Sequence, residues 1–325
     1  MLNKLYAITW TTFFETVRQP VYSILMWTAA FWIAVFGPSL SAFTLESGKD
    51  VKVLQDVGMA TLMLFGLLVS VFSATHVITR EIETRSILTV VSKPVPRPLF
   101  LVGKFLGVTG AVFVAYYFLC LVIFMSVRHG VMEMAADKLD QPVIVLGLLA
   151  IGISLVTALF CNYFYGWHFT ATLTACVVPL GTLALIVALF FDKTWKPQEW
   201  SKDFGNLQLI YAVSLIYVAV MILTAFAVTL ATRFNQVLTL VLCAAVFMVG
   251  LLSDHYLGTR VNDAPIFNAL YAMAPKMQFF WVGDALTQEL VIQFDHVKNV
   301  AIHGVVYTLA VLSLGVAMFQ TREVS

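Results

Sequence analysis

The residues most able to do chemistry lie between two apolar runs, in the stretch TREIETRSILTVVSKPVPRPLFLVGK at positions 79–104. This stretch, the connector, holds five of the nineteen Lys and Arg residues of the chain. Glu81 precedes Arg85 by four positions, the favourable order for an ion pair on a helix surface. The Gly-Lys pair that ends the connector lacks the earlier glycine and the following Ser or Thr of a phosphate-binding loop. The connector therefore offers charge for binding a partner, and any ATP that is used must be bound by another chain.

No pattern typical of a catalytic centre accompanies this charge. The chain has neither HExxH nor GxSxG, and its apolar runs carry no paired carboxylates. The cysteines lie in apolar runs without CxxC spacing and are predicted to pack as small hydrophobic residues: Cys120, Cys161, Cys176 and Cys243. Thioether and imidazole groups, the ligand types of Cu(I), cluster at Met125, His129, Met132 and Met134. Methionines at a helix end more often pack, so we predict no catalytic residue, cofactor or metal on this chain.

The runs that flank the connector are long enough to cross a membrane. The chain is 60% hydrophobic and 11% charged, whereas soluble domains carry about 25% charged residues. Runs of about twenty apolar residues, which span a bilayer as helices, recur throughout the sequence. We predict an all-α polytopic membrane protein with a single transmembrane domain, residues 1–325. Its eight predicted spans are 21–41, 57–78, 105–126, 143–165, 169–191, 208–231, 235–252 and 300–319.

The N-terminal residues 1–20 are predicted to form an amphipathic helix that lies in the membrane interface. Tyr6 and Trp10 fall on one helical face and Lys4 and Glu15 on the other, and Pro20 breaks the helix before the first span. A soluble extension of the first span is the alternative. Because the number of spans is even and basic residues are denser on the side of the connector, we predict that both termini are cytoplasmic, in the inner membrane.

The connector is predicted to be a short helix over 79–91 followed by a rigid elbow. Pro94 removes a backbone donor and disfavours helix at Lys93, and the alternation PVPRP holds the next residues extended. A charged helix held in this way would transmit force to the spans at both its ends. The alternative is an ordinary positively charged loop that only fixes the topology.

The segment EIETRSILTVVSKPVPRPLFLVGKFLG resembles the cytoplasmic connector of type-two ABC exporter permeases. The pattern E-I-E-x-R-[ST], an apolar pair, [ST]-[KR]-P-V-x-R and a closing G-K is matched by Glu81, Glu83, Arg85, Ser86, Ser92, Lys93, Pro94, Val95, Arg97, Gly103 and Lys104. The amphipathic start and the C-terminal MAPKMQFFWVGDALTQELV are also similar to the family. Some relatives serve the maturation of copper enzymes. Two features depart from the family, since Pro96 and Pro98 stiffen the elbow and eight spans exceed the usual six.

The resemblance implies that residues 79–98 form a coupling helix and elbow that dock on a separate nucleotide-binding ATPase subunit. The implied contact and elbow residues are Arg80, Glu81, Glu83, Arg85, Ser86, Lys93, Pro94 and Arg97. ATP and Mg²⁺ would then be bound by that partner, and this chain would pair with a second copy or a sister permease in the bilayer, with no nucleic acid involved. An ATP-independent channel, facilitator or membrane-embedded enzyme is the alternative.

Two further features of the sequence each allow two interpretations. Residues 253–299 form a long outer segment, for which the family suggests short re-entrant helices and for which a folded solvent loop is the alternative. Residues 143–191 and 208–252 align at an offset of 67 positions in a few residues, such as Thr157 with Thr224. A repeat or a simple insertion of one hairpin would explain the two additional spans.

Overall fold

A computed structural model describes residues 2–42, 50–83, 96–132, 138–200, 207–260, 265–288 and 290–320. The twelve α-helices found there are α1 (Leu2–Val17), α2 (Pro20–Phe31), α3 (Gly37–Ser41), α4 (Asp50–Glu83), α5 (Arg97–His129), α6 (Gln141–Tyr165), α7 (Phe169–Leu189), α8 (Gln208–Ala231), α9 (Gln236–Tyr256), α10 (Pro265–Met273), α11 (Gly283–Thr287) and α12 (Phe294–Gln320). A π-helical segment, Trp32–Phe36, joins α2 to α3. Extended pairing in these ranges is limited to one isolated bridge between Phe191 and Pro197.

The predicted all-α polytopic fold is confirmed. Eight segments of the described chain are long and apolar enough to cross a membrane, and each coincides with a predicted span: Pro20–Leu40, Asp50–Ile78, Arg97–His129, Gln141–Tyr165, Phe169–Leu189, Gln208–Ala231, Gln236–Tyr256 and Phe294–Gln320. The helices extend past several predicted boundaries. The 33 residues of α5, for example, measure about 50 Å at 1.5 Å per residue, against roughly 30 Å of hydrocarbon.

The centre of the bundle is α8, which packs against α4, α5 and α12. Small residues let these helices approach closely, as is usual for membrane helices. A Cβ at Gly66 of α4 would lie 2.6 Å from a Val220 methyl of α8, and a Cβ at Gly315 of α12 would lie 2.5 Å from the Thr229 hydroxyl. At the third such contact, Gly304 of α12 meets Val218 of α8. Side chains larger than glycine would therefore separate the central helices.

Hydroxyl groups tie the same helices together inside the apolar core. The Ser70 hydroxyl of α4 and the Thr224 hydroxyl of α8 lie 2.8 Å apart, and each is also 2.7 Å from a carbonyl oxygen of its own helix. One hydroxyl therefore donates to the other, which donates to its own helix. Tyr116 of α5 donates to the Val213 carbonyl of α8 at 2.6 Å. Tyr22 of α2 donates to the Ala111 carbonyl of α5 at 2.9 Å. In a membrane core without water, such pairing satisfies polar atoms and fixes the register of the helices.

The hairpin of α6 and α7 lies at the periphery of the bundle. These two helices pack mainly on each other, and most of α6 is exposed apart from small residues such as Ala150, Ser154 and Ala158. The hairpin of α8 and α9 is placed differently, because α8 is central and largely buried. The two predicted repeat units therefore occupy unlike positions in the fold.

A buried ion pair fastens the start of α6 to the end of α5. The Arg128 Nε lies 3.5 Å from the Asp140 Oδ2, and the two side chains are 6% and 1% exposed. Asp140 also accepts the Val143 amide as the N-cap of α6, and Arg128 donates to the Phe191 carbonyl beyond α7. One pair of charges thus holds three chain segments at this end of the bundle.

The outer segment contains short helices packed onto the bundle: α10, a 3₁₀ turn at Met277–Phe280, and α11. Met277 and Phe280 are almost fully buried, whereas Phe279 is 39% exposed. Met277 packs against Gly250 of α9, and Phe280 against Gly304 of α12. An aromatic run such as Phe279, Phe280 and Trp281 is typical of a membrane-interface belt, but Phe280 is a core residue. Whether the short helices enter a membrane stays a prediction.

Candidate functional site at the connector end of the bundle

The structure places some of the predicted coupling residues and leaves others undescribed. The backbone of Arg80, Glu81 and Glu83 belongs to the last turns of α4, which runs without interruption to Glu83. Residues 79–83 therefore extend the second span, rather than starting the separate helix expected over 79–91. The predicted contact residues Arg85, Ser86, Lys93 and Pro94 lie outside the described residues.

Arg97 is the first residue of α5, so the elbow ends earlier than predicted. Pro96 is extended, with φ −58° and ψ 133°, and caps the helix. Pro98, expected to be extended, lies in the first helical turn. A proline is tolerated there because the amide that it lacks would have no helical acceptor. The chain thus passes from the connector directly into a 33-residue helix.

Arg97 also joins the start of α5 to the end of α12. Its Nη1 donates to the Gln320 carbonyl at 2.7 Å and lies 3.4 Å from the Phe319 carbonyl. The Phe100 ring stacks on the Phe319 ring with centroids 5.9 Å apart. Carbonyls at a helix C-terminus lack helical donors and carry partial negative charge, so they attract a guanidinium. The residue predicted to shape the elbow is therefore a cap for the last span.

A second guanidinium reaches the same helix end from the turn between α8 and α9. Arg233 Nη2 donates to the Met318 carbonyl at 2.6 Å. Two arginines that are 136 positions apart in the sequence thus bind the last carbonyls of α12. The end of the bundle at which α4 ends, α5 begins and α12 ends is called the connector end below.

Lys104, one helical turn beyond Phe100, is only 3% exposed. Its Nζ lies 5.6 Å from the centroid of the Phe100 ring, within the range of a cation–π contact. The resemblance treated Lys104 as the closing residue of the connector motif. In the structure, the Lys104 side chain is buried and packs in α5 beside the Phe100 ring.

The N-terminal helix α1 lies against a strip of glycines on α5. A Cβ at Gly103 would lie 2.7 Å from an Ile8 methyl, one at Gly107 would lie 2.5 Å from the Thr12 Cβ, and one at Gly110 would lie 3.4 Å from the Phe13 ring. The contact positions advance together along both chains, so α1 runs alongside the first turns of α5. The glycines allow this close approach because any larger residue would fill the space that α1 occupies.

The face of α1 that contacts α5 differs from the predicted aromatic face. Thr12 and Thr16 are buried, while Tyr6 and Trp10 are 65% and 51% exposed. The exposed aromatic rings are available to a lipid interface, so the predicted interfacial position of α1 stays a prediction. Thr12 is buried here because its small side chain fits against Gly107.

The sequence identified charged residues of this site but not the groups with which they interact. The α12 carbonyls carry no sequence signal, and Arg233 lies in a different turn. The glycine strip was visible as G-x₃-G-x₂-G in GKFLGVTG, a spacing that predicts a close helix contact. Only Gly103 was used, as part of the connector motif.

Three of the four residues in the methionine and histidine cluster, Met125, His129 and Met132, lie within the described residues. His129 Nδ1 accepts the Asp140 amide at 3.4 Å, Met132 is 42% exposed, and Met134 lies outside the described residues. Across the described ranges, no group of three His, Cys, Asp or Glu residues is placed to hold a metal ion.

Residues 7–162 match the family model of ABC-2 family transporter proteins. The match runs from α1 through the connector and α5 into α6, and so includes the connector and the contact between α1 and α5, while Arg233 and the end of α12 lie beyond it. This part of the chain belongs to the ABC-2 transporter family. Searches of the curated proteins and of the solved structures found no match.

The match over residues 7–162 and the eight candidate spans support a membrane permease subunit. The chain is a multi-pass membrane protein and a transport subunit. Partnering with an ATPase subunit is a general property of that family. The glycine strip and the Arg97 cap are the local features of this chain.

Proposed function

We propose that this ABC-2 permease exports a substrate across the inner membrane, driven by ATP that a separate nucleotide-binding subunit hydrolyses. That subunit binds the connector on the cytoplasmic side, where both chain termini also lie. The proposal is supported by the family match over the connector and by the contacts of α5 at its first turns.

The observation that carries the proposal is that one helix, α5, links the connector to several others. Arg97 and Phe100 hold it to the end of α12, and Gly103 and Gly107 hold it to α1. Tyr116 bonds it to the central α8. A displacement of the connector therefore moves a set of helices rather than one loop.

The apolar core gives a reason why an external motor is needed. In its middle, hydroxyls such as those of Ser70 and Thr224 pair with each other, whereas the buried Lys104 and Arg128 lie toward the two ends of α5. Proton or ion coupling usually relies on ionisable groups within the membrane. Energy supplied through the connector replaces them, and Mg²⁺ and ATP are bound by the partner. A second permease copy or a sister permease completes the translocation path.

The test is charge reversal at the end of α4. We expect Glu81→Arg combined with Glu83→Arg to abolish co-purification of the ATPase subunit from native membranes, because a surface docked by charge would become repulsive. The partner is recognised in the eluate as a protein carrying a phosphate-binding loop, by peptide mass spectrometry, and by its ATP hydrolysis.

The matched control reverses two exposed acids at the opposite end of the bundle, Glu199→Arg with Asp295→Arg, which should leave the partner bound. All variants must reach the membrane in equal amounts. If the ATPase co-purifies equally with the Glu81 and Glu83 double variant and with the control, the coupling role of the connector is wrong.

A further inference from the structure

A cavity of about 860 Å³ opens at the connector end, between α1, the start of α2, α4 and the residue before α7. Trp10 and Phe14 give it aromatic walls, and Arg18, His76 and His168 are among its polar lining residues. Sites for small organic groups have volumes of about 300–1,000 Å³. The cavity lies beside α1 and plays no part in the contacts that join α5 to α12.

One lining residue has a buried polar group without a partner. Gln19 is 7% exposed, and its Nε2 has no hydrogen-bond acceptor in the described part of the chain. An unsatisfied buried amide costs about 1–3 kcal/mol, so it is usually explained by a ligand or a bound water. Gln19 therefore marks a place where an acceptor is expected.

The next residue in the sequence supplies a cation. The Arg18 guanidinium lies over the Phe14 ring, 5.5 Å from its centroid, and no described carboxylate forms an ion pair with it. The ring nitrogens of His76 and His168 add further donor groups to the lining. A guanidinium, an amide and imidazoles together suit an anion, above all the oxygens of a phosphate.

Glu15 is the acid in the lining, and it restricts which phosphate fits. A free phosphate dianion beside Glu15 would be repelled. A phosphodiester has a single negative charge, and a headgroup ammonium attached to it would be attracted to Glu15. The charge pattern of the cavity therefore matches an ethanolamine phosphodiester better than inorganic phosphate.

Exposed aromatic rings place the cavity at the level of lipid headgroups. Tyr163, Tyr165 and Trp167 are 83%, 65% and 57% exposed and directly precede His168. Trp10, on the cavity wall, is also half exposed. Tyr and Trp side chains concentrate where the hydrocarbon meets the headgroups. A headgroup that enters the cavity can keep its acyl chains in the bilayer.

From these observations we infer that the cavity is a binding site for a phospholipid headgroup of the ethanolamine type. Arg18 and Gln19 bind the phosphate, and Glu15 binds the ammonium. The bound lipid holds the corner between α1 and α2 against α7, where the Thr170 hydroxyl already donates to the Arg18 carbonyl at 3.2 Å. This site does not depend on the proposed ATPase coupling.

Native mass spectrometry of the purified full-length chain, released from detergent micelles, tests the inference. Titration with phosphatidylethanolamine should give a saturable one-to-one adduct. Arg18→Gln with Gln19→Leu should weaken it about tenfold or more, since two donors to a charged group are lost. The control Arg260→Gln removes an exposed cation at the opposite end and should change the affinity by less than about twofold. Equal weakening by both variants would overturn the site.

A second variant tests the headgroup without threatening the fold. Glu15→Gln should reduce the preference for phosphatidylethanolamine over phosphatidylcholine, whose trimethylated nitrogen lacks N–H donors, while phosphate binding persists. An unchanged preference would contradict the role of Glu15. In competition, glycerophosphoethanolamine should displace the lipid only weakly and inorganic phosphate not at all. Displacement by inorganic phosphate at lipid-like concentrations would identify a soluble anion as the ligand and refute the lipid site.

Discussion

Adding one methyl group to the glycine strip tests the packing of α1 on α5 most directly. In Gly107→Ala, the new Cβ would lie 2.5 Å from the Thr12 Cβ and 2.7 Å from the Thr9 carbonyl oxygen. Non-bonded carbon atoms prefer a separation of about 3.5–4.0 Å, so α1 must retreat by roughly 1 Å. Forced packing of this kind costs about 1–3 kcal/mol.

A matched control removes the contribution of helix propensity. Alanine is favoured over glycine within a helix by about 1 kcal/mol, and this gain is the same in principle at Gly147 of α6. A Cβ at Gly147 has nothing within 4 Å. We therefore expect Gly147→Ala to be neutral or slightly stabilising. Gly107→Ala should be less stable than Gly147→Ala by about 1–3 kcal/mol, which is the packing term alone.

The measurement is thermal or denaturant unfolding of both purified variants in the same detergent, followed by far-UV circular dichroism and limited proteolysis of the N-terminal helix. Earlier release of α1 by protease is the specific signature of Gly107→Ala. Equal unfolding midpoints and equal cleavage rates for the two variants would refute the close contact between α1 and α5.

Three other contacts give independent predictions. Arg97→Gln should release the C-terminal turn of α12, because a charge-assisted bond to the Gln320 carbonyl is worth about 1.5–3 kcal/mol. The rate of amide hydrogen exchange in residues 314–320 should then rise. An unchanged exchange rate would contradict the cap. Asp140→Asn keeps a cap for α6 but leaves Arg128 buried without its carboxylate partner, and should cost about 3–5 kcal/mol in unfolding experiments. Part of that loss should return in the double variant with Arg128→Met, and its absence would argue against the pair. Ser70→Ala and Thr224→Val should show a coupling of about 0.6 kcal/mol in a double-mutant cycle, whereas strict additivity would mean that the two hydroxyls do not interact.

Hydropathy predicted the spans because a membrane-crossing helix needs about twenty apolar residues whatever it packs against. Hydropathy could not predict which of the spans are buried inside the bundle. The most apolar span, α6, is among the least buried, while α8 is among the most buried. Lipid tails are as apolar as neighbouring helices, so composition does not distinguish the two surroundings. Residues such as Gly66 and Gly315, which lie at close helix contacts, indicate which spans pack against other helices.

The charged residues of the site could be predicted from the sequence, but the groups that they bind could not. Arg97 was expected to matter because the family resemblance gave it a role in setting the elbow. Its acceptors are backbone carbonyls 222 and 223 positions away, and every residue type has such a carbonyl. The start of α5 was predicted too late because the criterion was hydrophobicity. A helix can continue beyond the hydrocarbon wherever its backbone hydrogen bonds can still form, as α5 does from Arg97.

The two attachments of α5 at the connector end differ in kind, and the difference bears on how a push from the connector would spread. The attachment to α12 uses the guanidinium–carbonyl bond of 2.7 Å from Arg97 to Gln320, which is directional and is lost when the groups separate. The attachment to α1 is a strip of glycines, and the Thr9 hydroxyl lies as far as 3.4 Å from the Gly103 carbonyl. Packing without side-chain knobs resists separation but opposes sliding weakly. We therefore expect α5 and α12 to move together while α1 slides along them. Cysteine pairs across the α1–α5 contact should then change their cross-linking register when nucleotide is added, before pairs between α5 and α12 do.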